Sequence, residues 1–166
     1  MKDDIEAMLE TMAEELRARL AALQVTNPLM IGIHSGGVWV AERLHALLGL
    51  QEPLGKLDIS FYRDDFSRIG LNPAVRPSQL PFTVDGRYII LVDDVLYTGR
   101  TVRAALNEIF DYGRPDAVIL ATLVDRGGRE LPIQADVVGK SMALSAHEHV
   151  KLAGPVPLQL IIKQTP

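Results

Sequence analysis

Ile89-Ile90-Leu91-Val92-Asp93-Asp94-Val95-Leu96-Tyr97-Thr98-Gly99-Arg100-Thr101 is the stretch on which the reading of this chain turns. An apolar run ends in two adjacent carboxylates. A short turn bearing Gly and Thr follows, and then a helical pattern begins. The apolar run reads as a buried strand of a parallel sheet. The end of such a strand, just before a helix, is where open α/β sheets bind ligands. Thr98, Gly99 and Thr101 sit where backbone N–H groups and hydroxyls can hold a phosphate at a helix N-terminus. Asp93 and Asp94 can hold ribose hydroxyls, directly or through Mg²⁺. Two acids alone would suit any solvated strand end. Side by side they repel, which is costly unless a cation or hydroxyl donors stand near.

Working outward, the pattern alternates between helix and strand. Ile5, Met8, Leu9, Met12, Leu16, Leu20 and Leu23 recur at spacings of three and four, which predicts a helix over residues 4–23. Asn27-Pro28 breaks it. Leu29 to Ile33 reads as a buried strand, followed by His34-Ser35-Gly36-Gly37 and a helix closed near Gly49. Leu57 to Tyr62 reads as a strand. The polar, Pro-bearing segment of about 63–81 reads as a long mobile loop of the kind that forms lids. Tyr88 to Val92 is expected as a strand, Thr101 to Tyr112 as a helix stopped by Gly113 and Pro115, and Ala117 to Val124 as a strand. Asp136 to Gly139 and Leu158 to Ile162 are further strand candidates. Such alternation predicts one α/β domain, residues 1–166, built on a parallel sheet.

Composition narrows the class. The chain has 166 residues, 48% of them hydrophobic, and no cysteine. That suits a soluble globular protein with a real core and excludes a disulfide framework, a thiolate metal site and a Cys nucleophile. No apolar stretch approaches the roughly 18 residues of a membrane span. The early acids Asp3, Asp4 and Glu6 do not suit a secretory leader, so a cytoplasmic location is expected. The formal charge of -4 is unfavourable for nucleic acid, although it leaves room for a local basic face.

The segment Val92 to Ala105, with Asp93-Asp94 and Thr98-Gly99-Arg100-Thr101, resembles the phosphoribosyl-pyrophosphate (PRPP) loop of the type I phosphoribosyltransferases. Tyr62-Arg63-Asp64-Asp65 and Val124-Asp125-Arg126-Gly127-Gly128-Arg129-Glu130-Leu131-Pro132-Ile133 resemble the PyrR group of that family, in the same order along the chain. Members of this group are pyrimidine operon regulators that also act as uracil phosphoribosyltransferases. The resemblance implies a central parallel sheet flanked by helices, with a small hood made from the chain ends. It implies Mg²⁺ as cofactor, with PRPP, uracil, UMP and pyrophosphate as ligands. It also implies a homodimer or homotetramer.

Site residues follow by the same resemblance. Asp93 and Asp94 take the ribose and the metal, and Val95, Leu96, Tyr97, Thr98, Gly99, Arg100 and Thr101 take the 5′-phosphate. His34, Ser35, Gly36 and Gly37 match the pyrophosphate loop. A Lys-Thr-Arg-Gly pattern is usual there, so Gly36 replaces an Arg and His34 a Lys. Losing the Arg removes a fixed fork of donors from the leaving group. Arg63, with Arg68 or Arg76, would reach the pyrophosphate from the long loop. Val124, Asp125 and Arg126 fall on the base side, where a turn-forming Asp before Gly127-Gly128 is equally plausible on sequence.

The histidines His34, His45, His147 and His149 show no metal-ligand spacing, and His147-Glu148-His149 reads as an exposed cluster. Three functions remain open on sequence. The first is a uracil phosphoribosyltransferase tied to regulation of pyrimidine biosynthesis. The second is a weak or silent PRPP- or UMP-sensing regulator, favoured by Gly36. The third is an RNA attenuator-binding protein. RNA is disfavoured because the matching N-terminal segment reads Glu10-Thr11-Met12-Ala13-Glu14-Glu15, although Arg126, Arg129 and Lys140 could form a small basic face.

Overall fold

The computed structural model describes residues 4–59 and 78–165. Five strands form one sheet: β1 (Leu29–Ile33), β2 (Gly55–Leu57), β3 (Tyr88–Leu96), β4 (Ala117–Asp125) and β5 (Val137–Ser141). Their order is β2-β1-β3-β4-β5, and every neighbouring pair is parallel. The chain steps from β1 outward to β2 and then returns to the far side of β1. The order therefore reverses between β1 and β3, which places a ligand crevice beyond their C-terminal ends.

Helices α1 (Ile5–Ala22) and α2 (Gly36–Leu48) cover one face, and α3 (Arg100–Tyr112) covers the other. Leu29 to Ile33 is wholly buried, as a strand covered on both faces requires. Alternation along β3 sends Ile90 and Val92 into the core under α1 and α2, and Ile89 and Leu91 into the core under α3. The α1 stripe Ile5, Leu9, Met12, Leu16 and Leu20 is buried, and the Asp4 carboxylate caps the helix by accepting the Ala7 N–H at 3.1 Å. Gly49 closes α2 at a φ of 62°. A Cβ on Gly32 would lie 2.8 Å from the Ala41 Cβ, so glycine there lets α2 settle close on β1. Among the described residues no helix is long and apolar enough to cross a membrane.

Strands β6 (Glu148–Ala153) and β7 (Gln159–Gln164) form a separate antiparallel hairpin. Val150, Leu152, Leu158 and Leu160 pack it against the α1/α2 core. The peptides Gly154–Pro155 and Val156–Pro157 in its turn are cis. The chain's C-terminal strand expectation thus becomes the second arm of a hairpin. Its first arm was not anticipated, because Glu148-His149-Val150-Lys151-Leu152 alternates over too short a span to stand out from an exposed charged cluster. His147 and His149 are exposed, as expected.

Three boundaries differ from expectation. β3 runs through Asp93 and Asp94 to Leu96, because its pairing continues to Val95 opposite Val124 and Leu96 opposite Asp125. The two acids therefore stand on the strand's last turns and not in the loop. β2 ends at Leu57, where its register with β1 runs out at Ile33, so the expected strand from Leu57 is displaced toward Gly55. β5 begins at Val137, since Asp136 instead brackets Leu120, its N–H donating to the Leu120 carbonyl at 2.8 Å and its carboxylate accepting the Leu120 N–H at 2.9 Å. Ser60 to Tyr62, Arg63, Arg68, Arg76 and most of the expected mobile loop lie outside the described residues.

Candidate functional site

Two strand-to-helix turns meet at the sheet's switch point. The turn after β1 carries His34 and Ser35 into α2, and the turn after β3 carries Tyr97 to Gly99 into α3. Glycine lets the start of α2 close on the last residues of β3. A Cβ on Gly36 would overlap the Asp94 carboxylate, and a Cβ on Gly37 would lie 2.8 Å from the Val92 carbonyl and 3.3 Å from Asp93 Oδ1. The N-terminus of α2 therefore abuts the acid pair. Its unpaired N–H groups and positive dipole end offset the repulsion of two neighbouring carboxylates. The His34–Ser35 peptide is cis, and the His34 N–H donates to the Leu57 carbonyl at 2.9 Å. Ser35 stands at the N-cap of α2 without a side-chain cap bond.

Asp93 is buried and Asp94 half-buried. Asp93 Oδ1 accepts the Asp94 N–H at 2.9 Å, and Asp94 Oδ1 accepts the Val95 N–H at 2.8 Å. Among the described residues no group of three or more His, Asp or Glu gathers around a point that could hold a metal. Asp93 and Asp94 are hard oxygen donors of the kind that would suit Mg²⁺, an ion that needs few protein ligands where substrate oxygens and water are at hand.

The β3 turn is built for backbone donors. Gly99 has a φ of 94°, where other residues are strained, and the Thr98 hydroxyl accepts the Arg100 N–H at 3.2 Å. The helix starts at once, at Arg100, so an anion can meet several N–H groups. The Arg100 side chain turns away from this nest, donating from Nε to Glu130 Oε1 at 2.8 Å.

On the far side, β4 ends at the buried Val124 and at Asp125. Burial raises the affinity of Asp125 for its proton. The Arg129 hydrogen bond at 2.7 Å, the Gly127 N–H at 3.0 Å and the Arg129 charge outweigh it, and the carboxyl sits below its ordinary range. Arg129 also donates to the Tyr97 carbonyl at 2.9 Å and the Ile133 carbonyl at 2.7 Å. Arg126 is buried and lies 3.8 Å over the Tyr97 ring. Its two terminal nitrogens donate to the carbonyls of Glu148 and Ser145, at 2.9 and 3.0 Å.

The structure thus brings Gly36 and Gly37 onto Asp94 and Asp93, pairs Val124 and Asp125 with Val95 and Leu96, and stacks Arg126 on Tyr97. It corrects one expectation. Arg126 and Arg129 do not form a basic face with Lys140, because both guanidiniums are turned inward onto carbonyls and Asp125. Sequence reasoning missed the locking roles of Arg129 and Glu130. Their partners are mostly main-chain carbonyls 4 to 32 residues away, which no side-chain pattern encodes.

Comparison with known proteins agrees with this geometry. The family described as phosphoribosyl transferase domain matches residues 2–153. The protein of Nitrosococcus oceani named Bifunctional protein PyrR is 62% identical over 162 residues, covering 96% of this chain and 92% of the relative. Its namesake in Pseudomonas entomophila is 60% identical over 153 residues, covering 92% and 89%. Among solved structures, a hypoxanthine phosphoribosyltransferase of Staphylococcus aureus aligns with a TM-score of 0.61 at 20% identity, covering 84% of this chain and 76% of that one. The Trypanosoma cruzi enzyme of the same name aligns at 0.63 and 18% identity, covering 83% and 77%. These two likenesses speak for the fold.

Proposed function

This chain belongs to the phosphoribosyl transferase family, within its PyrR group, and we propose that the ends of β1, β3 and β4 hold PRPP and uracil for displacement at the ribose anomeric carbon. The protein is a uracil phosphoribosyltransferase that also regulates pyrimidine biosynthesis. The bond from the anomeric carbon to pyrophosphate breaks, and pyrophosphate leaves with the electron pair. The bond to uracil N1 forms, and the N1 proton is released. No side chain need form a covalent bond. Catalysis comes from positioning and from charge placed where it develops.

Each residue has a part in this reading. The backbone nest at Thr98 to Thr101 takes the 5′-phosphate, with Val95, Leu96 and Tyr97 shaping its approach. Asp93 and Asp94 take the ribose hydroxyls and would hold Mg²⁺. Enzymes of this family generally use that ion with PRPP, and it neutralises charge on the pyrophosphate as that group departs. Ser35 and the Gly36–Gly37 end of α2 take the pyrophosphate through backbone N–H groups, with His34 contributing by its side chain, since its own N–H is held by the Leu57 carbonyl. The end of β4 at Val124 and Asp125 faces the base, and Arg126 stands behind it. Arg63, outside the described residues, keeps its proposed place on the pyrophosphate. The β6–β7 hairpin is the hood, the chain works in the cytoplasm, and exposed apolar side chains such as Phe110 and Tyr112 on α3 suit a homo-oligomer.

One observation carries the reading: the N-terminus of α2 abuts the Asp93–Asp94 pair at the end of β3, and the Thr98–Thr101 turn follows that pair directly along the chain. The glycine that stands in place of an Arg has a packing role here, so it does not by itself argue for a silent sensor. Gly36 is where α2 must touch Asp94, so its lack of a side chain follows from the packing of the crevice. RNA is the less supported regulatory ligand, since α1 turns Glu10, Glu14 and Glu15 to solvent. Occupancy by PRPP or UMP is a signal this crevice can read. The test is uracil-dependent pyrophosphate release from PRPP with Mg²⁺. Asp94→Asn is expected to lower kcat/KM by about 100-fold or more while the fold persists. Full activity in that variant would overturn the assignment.

A further inference from the structure

Arg126 is a buried cation with three anchors on three different segments. Its own N–H donates to the Leu96 carbonyl at 3.1 Å, at the end of β3. Its guanidinium lies 3.8 Å over the ring of Tyr97, in the sugar-phosphate turn. Its Nη1 and Nη2 donate to the carbonyls of Glu148 and Ser145, where the hairpin begins. Tyr97 is pressed from another side as well, since a Cβ on Gly128 would lie 2.5 Å from its Cε1. A buried guanidinium cannot drop its partners cheaply, because each lost contact leaves charge or a donor without water. The planar fork also fixes direction in a way a lysine does not.

We infer that Arg126 is a positioning residue that couples occupancy of the sugar-phosphate turn to the order of the β6–β7 hairpin. The inference rests on the reading that Thr98 to Thr101 bind the 5′-phosphate. A ligand that fixes that turn fixes the Tyr97 ring beside it. The guanidinium stacked on the ring is held with it, and so are the carbonyls of Ser145 and Glu148. The Arg126 Nε–H is buried without an acceptor, so the network retains one unspent donor. A buried donor left unmet costs free energy, so this joint is held less tightly than a fully paired one, and a ligand that steadies the Tyr97 ring can tighten it. The hairpin is then the element through which a bound nucleotide is reported to the rest of the protein.

The experiment is hydrogen exchange on the full chain with and without UMP, read separately in residues 93–101 and 145–153. In the wild type, UMP should slow exchange in both segments by about fivefold or more. In Arg126→Lys, residues 93–101 should keep that protection while residues 145–153 lose most of it. Tyr97→Leu, which removes the stack and leaves Arg126 in place, should also weaken hairpin protection, and it serves if Arg126→Lys does not fold. Turnover adds a second readout: Arg126→Lys should change kcat more than the KM for PRPP. Equal hairpin protection in wild type and variants, or protection of 93–101 alone in the wild type, overturns the coupling. Absence of UMP protection at 93–101 overturns the phosphate reading beneath it, and the coupling falls with it.

Discussion

A methyl group added at Gly36 would overlap the Asp94 carboxylate. That makes Gly36 a constraint of the crevice and gives a prediction opposite to one based on charge alone. Restoring a cation by Gly36→Arg would seem to aid the leaving pyrophosphate, yet any side chain there must first displace Asp94 or back α2 away. Gly36→Ala is therefore expected to lower kcat/KM for PRPP by about tenfold or more, with only a small change in melting temperature, and Gly36→Arg to be worse. Steady-state kinetics on folded variants checks this, and higher activity in Gly36→Arg would show that Asp94 yields freely. The acid pair itself was legible in the sequence, because an apolar run, two carboxylates and a Gly/Thr turn have few other uses together. The reason for Gly36 was not legible, since the atom it avoids belongs to a residue 58 positions later, on another strand.

Among the elements, α3 has an unusual joint on its buried face. Ser78 accepts the Asp58 N–H at 3.2 Å and donates to Glu108 Oε1 at 2.5 Å, while Glu108 Oε2 has no partner. The joint ties Asp58, just after β2, and Ser78, ahead of β3, to the helix whose N-terminus is proposed to take the 5′-phosphate. Burial raises the Glu108 pKa above 4.5; the Ser78 bond lowers it, and the charges of Asp58 and Asp111 raise it further, leaving it raised overall. A raised folded-state value means that this group's contribution is fully present below 4.5 and is lost as pH climbs through the folded pKa. Melting temperature should accordingly decline as pH rises from 4.5 through the raised folded value and level off above it, and Glu108→Gln should flatten the decline. A slope unchanged by the substitution would place the pH dependence elsewhere. Elements as such were mostly readable: α1, α2, α3, β1 and β4 stand within a residue or two of where periodicity and Gly/Pro stops put them. What periodicity could not reveal was decided by partners. β3 outruns its apolar stretch because β4 pairs with it to Leu96, and β6 exists because β7 returns beside it.

At the scale of the whole molecule, the fold is shared with hypoxanthine phosphoribosyltransferases that align at 18–20% identity, so the fold alone does not choose the base. Fold class could be read from strands alternating with helices, whereas uracil as the base is reached only through the resemblance of the Val124–Ile133 stretch to the PyrR group, since no side-chain pattern by itself spells a pyrimidine. Choice of base is a matter of binding, and binding to the folded state alone shifts the unfolding equilibrium of the entire chain. A ligand at 100 times its Kd adds about 2.7 kcal/mol, which for a chain of this size is about 5–10 °C in melting temperature. UMP should produce such a shift, and so should PRPP with Mg²⁺. Chelating the ion should cut the PRPP shift far more than the UMP shift, because only PRPP presents a pyrophosphate beside Asp93 and Asp94. A purine mononucleotide shares the ribose and 5′-phosphate contacts but brings a larger base to Val124 and Asp125, so its shift should be smaller than that of UMP at equal concentration. Equal shifts for the two nucleotides would mean that the nest at Thr98 to Thr101 supplies all the affinity and that the β4 end does not select the pyrimidine.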